Sequence, residues 1–265
     1  MTKDADTHGI RWTSSNGTSL VVRGEGTPVF LMHGIGGRAS SCAALAIRLS
    51  KHGYRTYCWD APGYGESADP PSVVDHADVV LSILQELDVK PSHLFGTSWG
   101  GVIAALVAGR RPDIVLSVVL ADSTRGSALT PMSSAAMLRR LTDLAEVGPE
   151  SFAERRAPRI ISPTATSSVL DAVRQDMAAI RMPGYAAAAR MMARTDNTDV
   201  LSRLQVPALV VVGEHDVVTG VAESRLMSDI IPGAALKIIP NAGHAAVQEK
   251  PAEMADILLE FWTNS

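Results

Sequence analysis

A short apolar run, Leu94-Phe95, leads into Gly96-Thr97-Ser98-Trp99-Gly100-Gly101, and the chain passes at once into the helix-like segment Val102 to Arg110. This Gly-x-Ser-x-Gly junction constrains the fold more than any other stretch. A strand and a helix that meet at such a turn pass so closely that a Cβ at either glycine would clash, and the bend holds the serine in an unfavourable backbone geometry. Ser98 is therefore presented rather than buried. It also lies at a helix N-terminus, where unpaired backbone N–H groups and the helix dipole favour negative charge developing on a nearby oxygen. Taken alone the spacing also fits an ordinary glycine-containing loop. A strand before it, a helix after it, and an acid followed by a histidine downstream separate the two readings.

The rest of the chain supplies that context. Ile10 to Ser14 and Thr18 to Arg23, split by Asn16-Gly17, read as a hairpin, and residues up to about Thr7 read as disordered. Pro28 to Met32 is a continuously apolar run, as expected of a strand buried on both faces of a parallel sheet. Cys42, Leu45, Ala46 and Leu49 then fall on one helical face, followed by a strand at Arg55 to Asp60 and a second amphipathic helix through Val80, Ile83, Leu84 and Leu87. After Ser98 the segment Val102 to Arg110 is apolar nearly all round, which predicts a buried helix, and Leu116 to Ala121 reads as a strand ending at Asp122. Strict alternation of strand and helix argues for a parallel α/β sheet covered on both faces.

The alternation stops from about Thr124 to Arg203, where helical segments are punctuated by Pro131, Pro149, Pro158, Pro163 and Pro183. A long helical insertion between core strands predicts a cap over the C-terminal edge of the sheet, where open α/β sheets bind ligands. Strands at Ala208 to Val212 and Leu236 to Ile239 resume the pattern, with helices at Val221 to Ile230 and along Met254, Ile257, Leu258 and Phe261.

Composition narrows the class. The chain has 265 residues, 46% of them hydrophobic, which is enough for one large core. A net charge of -4 without any block of like charge gives no sign of a nucleic-acid or membrane surface. The polar start, Met1 to Asp6, has no apolar signal core, and a cytoplasmic protein is expected. Cys42 and Cys58, the only cysteines, read as small core residues, and no metal or cofactor is expected.

Two turns after the insertion carry candidate partners for Ser98. Gly213-Glu214-His215-Asp216 places a carboxylate after a buried strand, and Asn241-Ala242-Gly243-His244 places a histidine after the last one. A serine hydroxyl is a poor nucleophile until a base takes its proton; His244 would do so, with Asp216 fixing the imidazole tautomer. The backbone N–H groups of Trp99 and of Ile35, in the His33-Gly34-Ile35 turn, are the expected donors to an oxyanion. His33 reads as ordering that turn, His215 as a surface residue, and His8, His52, His76 and His93 as structural or exposed. Trp99 would narrow the pocket floor or pack in the core. The cap methionines Met132, Met137, Met177, Met182, Met191 and Met192 would line an apolar site or simply pack. Residues 124 to 203 hold eleven arginines, eight acidic residues and no lysine, which hints at an anionic small-molecule substrate; Arg125, Arg181 and Arg190 are the candidate contacts.

His33-Gly34, Asp60 through Ser67, Gly96 through Gly101, Gly213 to Asp216 and Gly243-His244 together resemble the α/β-hydrolases, of the small capped esterase and lactonase type. Gly184 through Ala189 and Asp199-Val200-Leu201 are similar to the 3-oxoadipate enol-lactonase branch. The resemblance implies a mostly parallel eight-stranded sheet flanked by helices, with a helical cap inserted after strand 6. It divides the chain into core (1–123 and 205–265) and cap (124–204). It also implies a serine hydrolase acting on an ester or lactone, with Ser98, Asp216 and His244 as catalytic residues. Because some members place the acid at the end of strand 6, Asp122 is the alternative. The carbon-carbon hydrolases of ring-fission products look similar, but they carry asparagine before the serine and tryptophan after the histidine, where this chain has Thr97 and Ala245. A ligand receptor built on the same fold, or a lyase or perhydrolase using the same serine, are further alternatives. Ser98 stands where dehalogenases and epoxide hydrolases need a carboxylate.

Overall fold

A computed structural model of the protein describes residues 9–89 and 91–264. The expectation of disorder up to Thr7, and the reading of His8, lie outside the described residues. Eight strands form one sheet: β1 (Ile10–Thr13), β2 (Ser19–Arg23), β3 (Thr27–Met32), β4 (Tyr54–Asp60), β5 (Ser92–Thr97), β6 (Val115–Ala121), β7 (Ala208–Gly213) and β8 (Ala235–Ile239). Their order is β1-β2-β4-β3-β5-β6-β7-β8. β1 and β2 pair antiparallel with their neighbours, and every pairing from β4 to β8 is parallel. The first hairpin strand stops at Thr13 because the Ser14 hydroxyl turns inward to the Asn16 side chain and the Thr18 carbonyl.

Helices α1 (Ala43–Ser50), α2 (His76–Glu86) and α3 (Trp99–Arg110) alternate with the first strands. Between β6 and β7 lie four helices, α4 (Pro131–Arg156), α5 (Ser167–Ala178), α6 (Met182–Arg194) and α7 (Thr198–Ser202). α8 (Gly220–Ile230), α9 (Ala246–Glu249) and α10 (Pro251–Thr263) complete the chain. α4 is broken at Gly148, whose left-handed φ of 73° precedes Pro149, so it forms two arms rather than one rod.

The apolar runs of the sequence bury as their patterns dictate. Val29, Phe30, Leu31 and Met32 of β3 are inaccessible, and their side chains divide between two core clusters, one on each face of the sheet. Each fully buried Leu, Ile or Phe contributes about 1.5–3 kcal/mol against exposure. α3, apolar on every side, is the most enclosed helix, with Val102, Ile103, Ala104 and Val107 at or near zero exposure. Cys42 and Cys58 are buried and unpaired by disulfide, and burial raises both thiols, Cys58 to about 12. Among the described residues no helix is long and apolar enough to cross a membrane.

Parallel pairing has one consequence that matters for chemistry. β3, β5, β6, β7 and β8 all end on the same edge of the sheet, so the turns beginning at His33, Ser98, Asp122, Glu214 and Pro240 converge there. A smaller cluster formed by Leu144, Phe152, Met177, Ile180 and Tyr185 holds α4, α5 and α6 together, with Ile35 packed against it.

Candidate active site

Ser98 is the residue between β5 and α3, and its backbone is strained at φ 54° and ψ -118°. A non-glycine residue in such a region costs roughly 1–3 kcal/mol and persists only when its surroundings hold it. Hydrogen bonds to its own backbone do so here. The Ser98 N–H donates to the Ala121 carbonyl at 2.8 Å, while its carbonyl accepts from the Ser123 hydroxyl at 2.9 Å and from the Gly101 N–H at 3.0 Å. The glycines behave as the sequence predicts. A Cβ at Gly96 would run into the backbone of Gly100 and Gly101, and one at Gly100 into the carbonyls of Met32 and His33.

The bend aims the Ser98 Oγ at His244 Nε2, 3.0 Å away, and His244 Nδ1 stands 2.9 Å from Asp216 Oδ2. Asp216 also accepts from the N–H groups of Val218 and Thr219, and from the Thr219 hydroxyl at 2.6 Å. Burial pushes this carboxyl up, but the hydrogen bond and charge of His244, with the bonds from Thr219 and Val218, outweigh it and bring it to about 2. Asp216 is thus ionised and accepts the Nδ1 proton, which leaves Nε2 free to accept from Ser98. The His244 turn is itself tied down: Glu249 accepts from the N–H of Gly243 at 2.8 Å and of Ser162 at 2.9 Å, and the Ala245 N–H donates to the Ile160 carbonyl.

Above the serine lies the turn after β3. A Cβ on Gly34 would come within 3.2 Å of the Ser98 Cβ, so this backbone passes directly beside the hydroxyl. His33, wholly buried, orders the turn. Its Nε2 accepts from the Ala61 N–H, so Nδ1 carries the proton and donates to the Gly34 carbonyl at 2.7 Å. Burial lowers its pKa and keeps it neutral. Tyr64 donates its hydroxyl to the Ile35 carbonyl at 3.0 Å, fixing that peptide. Trp99 opens α3, so its N–H is among the first four of the helix and has no intrahelical acceptor.

Comparison with known proteins decides the family. The sequence pattern of the alpha/beta hydrolase fold matches residues 27–251. The chain belongs to the α/β hydrolase family. This hydrolase is 28% identical to a pimeloyl-[acyl-carrier protein] methyl ester esterase of Chromobacterium violaceum, over 84% of this chain and 89% of that one. It is 26% identical to 3-oxoadipate enol-lactonase 2 of Acinetobacter baylyi, over 75% and 74% of the two chains. Among solved structures, a thermophilic esterase from Thermogutta terrifontis, described as malate bound, superposes with a TM-score of 0.87 at 28% identity, covering 96% of this chain and 98% of that one.

Two cavities of the hydrolase meet at Ser98. The first, of about 80 Å³, has Ser98 and His244 on one side and Arg140, Phe152, Arg156 and Tyr185 among its other walls. The second, of about 320 Å³, runs past Trp99, Met137 and Met192 to Glu223, and shares Ile35, Ser98 and Arg140 with the first. Met177 lines the first cavity, whereas Met132 and Met182 point outward and Met191 accepts the Trp99 indole N–H.

The three arginines expected from the sequence to contact substrate line neither cavity. Arg125 is held by Glu223, with its Nε 3.0 Å from the carboxylate. Arg181 pairs with Asp69 at 2.8 Å and with the Ser67 carbonyl, and Arg190 is exposed. Arg140 and Arg156 take their place. Sequence reasoning missed both, although each is the inner member of an Arg-Arg pair on a helix arm, Arg139-Arg140 and Arg155-Arg156. Of the remaining histidines, His215 is half-buried at the surface and His52 is exposed to solvent. His93 stacks on Trp262, and His76 lies edge-on to Trp99, where burial lowers it to about 4.

Asp122, the alternative acid, makes no hydrogen bond to His244. It is fully buried, one oxygen accepts from the Gly213 N–H at 2.8 Å, and the other has no partner. Burial, then the charges of Asp216 and Glu249, raise its pKa well above the usual carboxylate value. A group whose folded pKa is raised stabilises the fold below its unfolded pKa, and that contribution is lost as pH rises toward the folded value. Asp122→Asn is therefore expected to gain thermal stability relative to the wild type as pH goes from about 4 to about 7. Melting curves of the two chains across that range check this; parallel profiles would contradict it.

Proposed function

We propose that this hydrolase opens small carboxylic esters or lactones through an acyl-enzyme on Ser98, with residues 124–204 acting as a cap over the bound substrate. One observation carries the reading: the unbroken line from Ser98 Oγ through His244 to an ionised Asp216, opening into a cavity beneath α4, α5 and α6. Ser98 attacks the carbonyl carbon as His244 Nε2 takes its proton. The N–H groups of Ile35 and Trp99 receive the oxyanion, each such donor being worth about 10²–10³ in rate. His244 then protonates the departing alkoxide. Water attacks the acyl-enzyme, gives its proton to His244, and releases the acid and a regenerated serine. In a lactone the departing oxygen stays on the same molecule, so one product leaves instead of two.

Relatives described as a methyl ester esterase and as an enol-lactonase support both halves of this substrate class. The test is hydrolysis of p-nitrophenyl acetate and of a small γ-lactone by the wild-type chain beside Ser98→Ala. Turnover that the variant lacks supports the reading. Equal turnover by both chains, or none by either, would sink it.

A further inference from the structure

Asp176, on α5, is a buried carboxylate in the wall of the first cavity. One oxygen accepts from Arg38 Nε at 2.8 Å and from the Ser40 hydroxyl at 2.6 Å; the other accepts from the Ser41 hydroxyl at 2.8 Å and from Gln248 Nε2 at 3.4 Å. Arg38, Ser40 and Ser41 follow directly on the Gly34-Ile35-Gly36-Gly37 turn, whose Ile35 N–H is the proposed oxyanion donor. Gln248 is on α9, four residues past His244. One side chain from a helix inserted between β6 and β7 is thus bonded to the segment beyond the oxyanion turn and to the segment beyond the base.

A turn with three glycines in four residues has little stiffness of its own. Its first half is held from the core, by His33 on the Gly34 carbonyl and by Tyr64 on the Ile35 carbonyl. Its second half is held from α5. A Cβ on Gly36 would stand 3.1 Å from the Met177 Cε, and Ile35 packs against the cluster that contains Met177. The Ser41 hydroxyl, while donating to Asp176, also accepts from the Arg38 N–H at 3.2 Å, which carries the hold onto the backbone. Bonds from a guanidinium and from hydroxyls to a carboxylate are shorter and stronger than neutral ones, so this hold is stiff. An oxyanion donor acts only at about 2.7–3.1 Å from where the oxygen forms, and a turn that drifts from that range loses much of its effect. The donors already present fill the lone pairs of the carboxylate, so Asp176 acts through them and not on the substrate.

We propose that Asp176 is a positioning residue: by holding Arg38, Ser40 and Ser41 it keeps the Ile35 N–H at oxyanion distance, so that the site at Ser98 is complete only while α5 is docked on the 3₁₀ turn Ala39–Cys42. This rests on the hydrolase reading given above. Turnover of p-nitrophenyl acetate and inhibition by trifluoromethyl ethyl ketone are measured for the wild type, Ser98→Ala, Asp176→Asn, Ser40→Ala, Ser41→Ala and the two doubles that combine a serine change with Asp176→Asn. Each chain is assayed well below its own melting temperature. The ketone adds to Ser98: the Oγ–C bond forms, the carbonyl π pair becomes the oxyanion and the serine proton passes to His244, so its affinity reads the oxyanion site. Asp176→Asn is expected to lower kcat about ten- to hundredfold with KM changed less than about threefold, short of the roughly 10²–10³ cost of removing a donor outright. Ketone affinity falls by the same factor. Ser40→Ala and Ser41→Ala each reproduce part of the loss, and neither adds its full effect on top of Asp176→Asn. A lower melting temperature with unchanged kcat and ketone affinity makes Asp176 an ordinary structural latch and overturns the proposal. If Asp176→Asn does not fold, the two serine variants decide, and unchanged kinetics in both overturn it. A wild type that neither cleaves the ester nor binds the ketone at Ser98 overturns the hydrolase reading and the proposal with it; a wild type that does both, matched by Asp176→Asn, overturns the proposal alone.

Discussion

Under the proposed mechanism, replacing Ser98 with alanine is expected to lower ester turnover by about 10⁴- to 10⁶-fold, while the thermal unfolding of the chain barely changes. The size follows from what the side chain does. Among the described residues no other hydroxyl is hydrogen-bonded to His244 Nε2, so in the proposed mechanism the variant retains an oxyanion site and a base but has no nucleophile. The small effect on stability follows from where the strain resides. The left-handed φ of 54° is enforced by bonds to the Ser98 N–H and carbonyl, which alanine preserves, and only the hydrogen bond to His244 is lost. That bond contributes about 1 kcal/mol net. Steady-state rates with p-nitrophenyl acetate and a melting curve together check the expectation. A large loss of rate accompanied by a collapse of stability would mean that Ser98 is structural.

The second large effect separates two acids that the sequence leaves in competition. Under the proposed mechanism Asp216→Asn is expected to lower kcat by about 10⁴-fold, because a neutral amide would no longer fix the Nδ1 proton or stabilise the imidazolium. Asp122→Asn lowers it by less than about tenfold. Asp122 makes no bond to His244, its surroundings favour the neutral acid, and an amide oxygen preserves the acceptor for the Gly213 N–H. Asp216 also has an acid-side signature. Its folded pKa of about 2 lies below the ordinary carboxylate value, so the stability it contributes is complete above roughly pH 4 and is lost as pH falls toward 2. Parallel rate measurements on the two variants are decisive, and a loss in Asp122→Asn equal to that in Asp216→Asn would reverse the assignment.

Much of this was legible before any coordinates. The Gly96 to Gly100 turn demands its two small residues for a steric reason that local sequence carries, and the turn forms as that reason requires. Alternating apolar runs specify parallel strands, and parallel strands bring Ser98, Asp216 and His244 to one edge whatever their separation in sequence. The arginines of residues 124–204 were not legible for the converse reason. Which face of a helix an arginine takes depends on packing partners remote in sequence: Glu223 claims Arg125 from α8, and Asp69 claims Arg181 from a core loop. Arg140 and Arg156 reach the cavity because Gly148 and Pro149 break α4 between them, a bend whose direction no periodicity reports. Glu249, which fixes the His244 turn through Gly243 and Ser162, was missed for the same reason.

A nucleophilic Ser98 is the centre of the proposed mechanism, and active-site labelling tests it most directly. Wild-type protein is treated with a fluorophosphonate near neutral pH and digested, and the modified residue is located by mass spectrometry. The expected result is one equivalent of adduct, carried by the peptide containing Ser98, absent in Ser98→Ala and much slowed in a His244→Ala variant. Adduct on another residue, or none on a folded wild-type chain, would contradict it.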